Sequence, residues 1–331
     1  MPGTFDLSAK IDTMNALVKR LTPLRVLAAC AALGAFGAPL SGAAQTVQTA
    51  PMQEVSVAGD VPLRGYWFAG AGVGVGEGVS SPPRPAILAL HGCGGLFAGK
   101  EGERLGERYR EAAARMNAMG YAVLLPDSFG SRGVRQICQT RYAERTITVA
   151  QRARDAEAAL VWLARQPDVD PARIGVLGWS NGGSTALHLL EQMQLQLQSK
   201  AGAAPDHLPS VAAAAVFYPG CQPLRLRRAD LGTVPLLMQI GALDDWTPAP
   251  PCEALVQQLR ARPGTHVELH VYPDSYHGFD SRAPVRLRTD VPNGGAGQGV
   301  HQGGNPQARA QSLQVLDAFW RSTLSPTKAL P

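Results

Sequence analysis

Residues 174–183, Ile174-Gly175-Val176-Leu177-Gly178-Trp179-Ser180-Asn181-Gly182-Gly183, decide how this chain is read. Ile174–Leu177 is a short apolar run of the kind that forms a buried strand, and a helical stretch follows from about Asn181 to Gln198. Between them lies Gly-x-Ser-x-Gly, which in that setting marks a sharp strand-to-helix turn with the serine at its tip. Such a turn strains the backbone, and strand and helix pass so close that a Cβ at Gly178 or Gly182 would clash. The helix N-terminus behind the serine favours negative charge. Ser180 is therefore the candidate nucleophile.

The same alternation extends in both directions. Upstream, Glu54–Val57 and Leu63–Phe68 read as an antiparallel pair, and Ala86–Leu90 as a buried strand. Between them, Gly70 to Gly78 with Pro82, Pro83 and Pro85 forms a surface connection. Glu101–Met119 is expected to be a helix stopped by Gly120, Ala122–Pro126 a strand, and Ile147–Gln166 an amphipathic helix. Downstream come strands over Val211–Phe217, Pro235–Ile240 and His266–Tyr272, and a closing helix over Pro306–Ser322. This order implies a mostly parallel sheet covered by helices on both faces. The Gly-rich segment 280–305 reads as a long irregular loop.

A serine hydroxyl needs a base to remove its proton. Of the seven histidines, His277 lies in a polar loop just past the last strand, in Tyr272-Pro273-Asp274-Ser275-Tyr276-His277-Gly278-Phe279. The acid that orients it should follow the intervening strand, and Gly241-Ala242-Leu243-Asp244-Asp245-Trp246-Thr247-Pro248 offers two aspartates. Asp244 is preferred, with Asp245 read as a cap for the helix starting near Pro250. Two backbone N–H groups should stabilise a developing oxyanion: that of Asn181, and that of Cys93 in His91-Gly92-Cys93-Gly94-Gly95. Trp179, Trp246, Phe129 and Tyr276 are candidates to line a substrate pocket, and Arg132 to bind a substrate carboxylate.

These motifs, in this order from about Pro85 to the last helix, resemble the dienelactone hydrolase family of the α/β-hydrolases. The resemblance implies an α/β-hydrolase fold, a hydrolytic Ser–Asp–His mechanism without metal or organic cofactor, and Asp244 as the triad acid. Relatives acting on dienelactone carry a cysteine nucleophile and a glutamate after the first core strand. Here those positions hold Ser180 and Gly92, which moves the expected chemistry towards general ester cleavage, with a small-molecule or polymeric ester as substrate. The elbow also resembles that of secreted polyester hydrolases. A prolyl-oligopeptidase-like peptidase and a non-catalytic binding protein are the competing readings.

Composition narrows the setting. The chain has 331 residues, 45% of them hydrophobic and 17% charged, enough for a sizeable core. Its net charge is +5, of which residues 1–44 supply +2, and no basic stripe interleaved with aromatics suggests nucleic-acid binding. Lys19, Arg20 and Arg25 precede the apolar run Val26–Leu40 and Ser41-Gly42-Ala43-Ala44, the order of a cleavable signal peptide with translation starting at Met1 or Met14. The run is too short for a stable membrane span. A single catalytic domain over 45–331, periplasmic or secreted, is expected. Outside Cys30 four cysteines remain, and export favours disulfides. Three connectivities are open, of which Cys221–Cys252 with Cys93–Cys138 is preferred, because Cys221 and Cys252 should lie at the ends of neighbouring strands.

Overall fold

The computed structural model describes residues 51–70, 82–99, 102, 104–199, 209–292, 294 and 299–325. The signal segment, Cys30 and most of the Gly-rich connection lie outside the described residues. Eight strands form one sheet: β1 (Gln53–Val57), β2 (Leu63–Phe68), β3 (Arg84–Leu90), β4 (Ala122–Pro126), β5 (Val169–Trp179), β6 (Ala213–Phe217), β7 (Leu236–Gly241) and β8 (Val267–Tyr272). Their spatial order is β1-β2-β4-β3-β5-β6-β7-β8, antiparallel in the first two pairings and parallel in the rest. In β4 and β6 every residue is buried, so both sheet faces are covered, as a parallel sheet joined by helical crossovers requires.

The helices are α1 (Glu107–Ala118), α2 (Val149–Ala164), α3 (Asn181–Ser199), α4 (Gln222–Leu226), α5 (Ala249–Arg260) and α6 (Pro306–Leu324). Local sequence sets their ends. Thr148 and Gln151 form a reciprocal capping box at α2, and Asn305 caps α6 by accepting from the N–H groups of Gln307 and Ala308. The buried aromatic Trp320 on α6 closes the core against the sheet, and Arg115 of α1 pairs with Asp317 of α6 at 2.6 Å.

Two expectations are corrected, and one element is added. The helix expected from Glu101 begins only at Glu107, because Gly106 is extended (φ −54°, ψ 144°) and Arg104–Leu105 pairs instead with Phe97–Ala98. The short helix α4 was not foreseen; five residues give too little periodicity to read. Segment 280–305 is not wholly irregular: Arg286–Arg288 and Val300–Gln302 form an antiparallel ribbon, and Gly303 N–H donates to the His277 carbonyl at 3.0 Å.

Candidate active site

The C-terminal ends of β3, β5, β6 and β7 meet at Ser180. Ser180 follows β5 directly and takes φ +54°, a left-handed conformation that costs a non-glycine residue about 1–3 kcal/mol. Its N–H donates to the Phe217 carbonyl at 2.9 Å, locking the turn onto β6. A Cβ on Gly178 would stand 2.4 Å from the Gly182 carbonyl oxygen, and one on Gly182 2.1 Å from that of Leu90. Both positions therefore have to be glycine.

His277 reaches this tip from the loop after β8. Its Nε2 is 2.9 Å from Ser180 Oγ, and its Nδ1 is 2.9 Å from Asp244 Oδ2, where Nδ1–H donates to the carboxylate. The imidazole lies between Tyr218 and Trp246, with ring centroids 4.5 and 4.6 Å away. Asp244 is buried. Its Oδ1 accepts from the N–H groups of Trp246 and Thr247 at 3.0 and 2.8 Å, and its Oδ2 from Thr247 Oγ1 at 3.1 Å. Asp245 does not cap α5, whose N-cap is Pro248. Its carboxylate instead takes the His301 N–H and ring Nδ1–H at 2.9 and 2.7 Å, tethering the ribbon of the tail.

Cys93 and Asn181 flank the serine. Among the described residues, neither backbone N–H has a protein acceptor, which leaves both donors available to a bound oxyanion. Cys93 is fixed twice, by its disulfide to Cys138 and by the Ile137 N–H bonding to its carbonyl at 2.8 Å. Cys221 pairs with Cys252 as expected, but not from strand ends: Cys221 stands at the N-cap of α4 and Cys252 lies within α5. Arg152 on α2, only 1% exposed, donates to the His91 carbonyl at 2.7 Å and to Asn181 Oδ1. One guanidinium thus ties together the two segments that carry the free N–H groups. Burial lowers Arg152 to about 10, and the nearby Arg132 charge adds to this against the pull of Tyr109, Asp155 and Asp127. His91 is held well below its ordinary value, first by burial and then by Arg152, although its ring Nδ1–H bonds to the Gly92 carbonyl.

Ser180 opens onto two cavities. One, of about 260 Å³, is shared by Cys93, Arg108, Trp179, Trp246 and His277. The other, of about 750 Å³, is bounded by Asn181, Ile147, Leu224, Leu226 and Trp246. Trp179 and Trp246 thus stand where a pocket was expected. Phe129, Arg132 and Tyr276 line neither cavity. Phe129 is fully buried edge-on to His91 and beneath Arg152, and Tyr276 packs on the His301 ring at 4.8 Å. Arg132 forms two bonds of 2.8 Å to Asp155 and is thus spent on an internal ion pair. Among the described residues, no group of three or more His, Cys, Asp or Glu side chains is arranged to hold a metal ion.

Residues 76–315 match the family model described as the dienelactone hydrolase family. The chain belongs to this family. An uncharacterized protein of Mycobacterium tuberculosis is 33% identical to this dienelactone hydrolase family member over 184 residues, 52% of this chain and 57% of that protein. The match therefore spans little more than half the length of that relative. Among solved structures, a dienelactone hydrolase-like promiscuous phosphotriesterase from metagenomic libraries superposes with a TM-score of 0.57 at 20% identity, covering 84% of this chain and all of that one. A carboxylesterase of Lactobacillus plantarum gives 0.55 at 16% identity, with 84% and 100% covered. Esterase 2 of Thermogutta terrifontis gives 0.55 at 20%, with 85% and 97% covered. These likenesses establish the α/β-hydrolase fold.

In this dienelactone hydrolase family member several site residues escaped the sequence reading. Asp280, three residues after His277, accepts bonds from Arg108 (3.0 Å from both Nε and Nη2), Trp179 Nε1 (3.1 Å) and Tyr218 OH (2.7 Å). It ties the elbow tryptophan to the tyrosine beneath His277. Burial pushes the Tyr218 hydroxyl well above its ordinary range, and Asp280 adds to this against the opposing Arg108. Thr247 donates its N–H to Asp244 Oδ1, and its hydroxyl, with one proton to give, stands 3.0 Å from the Tyr218 carbonyl and 3.1 Å from Asp244 Oδ2; it was legible only as the residue before a proline.

Proposed function

We propose that this chain is a carboxylic-ester hydrolase with Ser180 as nucleophile, His277 as general base and acid, and Asp244 as the residue that orients the imidazole. The unbroken chain Ser180 Oγ–His277–Asp244, two bonds of 2.9 Å, carries the reading. Ser180 Oγ attacks the ester carbonyl while His277 Nε2 takes its proton. The carbonyl oxygen becomes an oxyanion held by the Cys93 and Asn181 N–H groups. Collapse breaks the bond to the alcohol oxygen, which leaves with the proton from His277, and an acyl-serine remains. Water then attacks the acyl-serine, giving its proton to His277. The second collapse returns that proton to Ser180 and releases the acid.

Asp244 holds Nδ1–H in place and stabilises the imidazolium as it forms. Two disulfides and the basic-then-apolar N-terminal segment support an exported protein in an oxidising compartment, with the catalytic domain following the signal. Among the described residues, no helix is long and apolar enough to cross a membrane. The test is hydrolysis of p-nitrophenyl acetate together with labelling by a fluorophosphonate. Ser180→Ala should lose both while melting like the parent chain, and retained turnover would remove Ser180 from the mechanism.

A further inference from the structure

The two cavities at Ser180 are unlike in size, lining and relation to the reacting groups, and this asymmetry gives a substrate a direction. His277 lines only the cavity of about 260 Å³, and Asn181 only the one of about 750 Å³, while Ser180, Cys93 and Trp246 border both. In the tetrahedral intermediate the alcohol oxygen must lie within reach of His277 Nε2 to be protonated, and the oxyanion must face the Cys93 and Asn181 N–H groups. With those two directions taken, the alcohol leads into the small cavity and the acyl substituent into the large one.

The linings differ in the same sense. The large cavity is mostly apolar, walled by Ile147, Val149, Pro223, Leu224 and Leu226; of the cations that also reach it, Arg227 is paired with Glu191 and Arg145 lies over the Tyr142 ring. Leu226 is 65% exposed at its rim, an apolar surface that a hydrocarbon group would cover. The small cavity is the more polar of the two, with charged side chains interspersed among Leu96, Phe97 and Trp179, and those charges are balanced internally. Arg108 pairs with Asp280, Arg282 with Glu111, and Arg288 with Asp290. Such a surface hydrogen-bonds readily but offers no uncompensated charge, and its volume limits the group it accepts.

We infer that the preferred substrates are esters of a bulky apolar acid with a short, polar, uncharged alcohol, the acid seated between α2 and α4 and the alcohol leaving past Arg108 and Gln302. This rests on the esterase reading, and the test separates the two. Ethyl octanoate and octyl acetate are isomers with the same composition, so a difference between them reports orientation rather than overall hydrophobicity. Initial rates of both are followed by pH-stat below their solubility limits, beside p-nitrophenyl acetate as a measure of basal esterase activity.

The expected result is a kcat/KM for ethyl octanoate at least about tenfold above that for octyl acetate, since each methylene buried only in the acyl position adds to the preference. Leu226→Asp, with its charge at the rim of the large cavity, should lower that ratio at least about threefold in a protein of unchanged melting temperature. Equal rates, a preference for octyl acetate, or a ratio untouched by Leu226→Asp would overturn the assignment of the cavities while p-nitrophenyl acetate turnover upheld the esterase. Loss of all three activities in the wild-type protein would instead overturn the esterase reading and this assignment with it.

Discussion

Replacing Gly182 by alanine tests whether close approach of backbone to backbone sets the oxyanion site. The new Cβ would lie 2.1 Å from the Leu90 carbonyl oxygen and 2.5 Å from that of His91, where real contacts essentially never fall below 3.0 Å. Neither oxygen can rotate away, because both belong to the backbone at the end of β3. Elbow and strand must therefore part by roughly 0.9 Å, a displacement of the size that can cost ~100-fold in rate. The parting falls between Asn181 and the 91–93 loop, the two segments bridged by Arg152.

On the proposed mechanism, misaiming one of two oxyanion donors lowers kcat by about 100- to 1000-fold and leaves KM within about threefold, since the donors act mainly in the transition state. Overpacking should cost about 1–3 kcal/mol of stability. The higher helix propensity of alanine offsets up to ~1 kcal/mol of that. Steady-state kinetics on p-nitrophenyl acetate, with thermal melting to establish folding, measure both effects. Gly94→Ala, on the wall of the small cavity, is the milder comparison: its Cβ would meet nothing within 4 Å, so the melting temperature should not fall and kcat should stay within about threefold. A Gly182→Ala enzyme with kcat within threefold of wild type would refute the reasoning.

The two aspartates should separate cleanly. Asp244→Asn should lower kcat by about 10⁴-fold through loss of the imidazole tautomer, while Asp245→Asn, which frees only His301, should stay within about fivefold. Similar losses in both variants would contradict the assignment. Removing the Cys221–Cys252 or Cys93–Cys138 bridge, with loops of 31 and 45 residues, should each destabilise the fold by up to ~4 kcal/mol on chain entropy. Only the latter should also lower kcat in the folded state, because it fixes Cys93. Urea unfolding and kinetics of the paired Cys→Ala variants check this. His91 stays neutral in the fold while the unfolded chain takes up a proton below the ordinary value of about 6.5. Its stability contribution is therefore complete above that pH and is lost as the pH falls through it. His91→Gln should show a shallower fall of melting temperature between about pH 7 and 5 than the parent, and equal slopes would exclude this role.

How much was legible follows from how local each determinant is. The core strands were readable because burial on both faces makes them short unbroken apolar runs: Ala86–Leu90 and Ala122–Pro126 were found within two residues of their observed ends. The helix expected from Glu101 came out too long, because one extended glycine, Gly106, decides its start and glycine does not announce its conformation. Asp244 and Asp245 are adjacent, and only folding shows that one faces His277 and the other His301. Phe129 and Arg132 follow a strand at the correct sheet edge, yet both point into the protein, where Arg132 meets Asp155 from α2. No local pattern encodes that pairing.

Asp280 and Arg152, which sequence missed, share a physical task with the Cys93–Cys138 bridge, which it did not miss. Ser180 sits in a strained conformation that persists only where its surroundings over-determine it. Asp280 holds Trp179 and Tyr218 on one side, and Arg152 holds Asn181 and His91 on the other. The Cys93–Cys138 bridge fixes the remaining loop. Arg152 is the costliest of these, a buried cation whose Nε has no partner and which makes no ion pair among the described residues. Such a group weakens the fold more readily than it strengthens it, so its presence is better explained by what it orients than by stability. On the proposed mechanism, the motif residues define which atoms react. The tethers made by Asp280 and Arg152, invisible to spacing and periodicity, help to hold those atoms 2.9 Å apart.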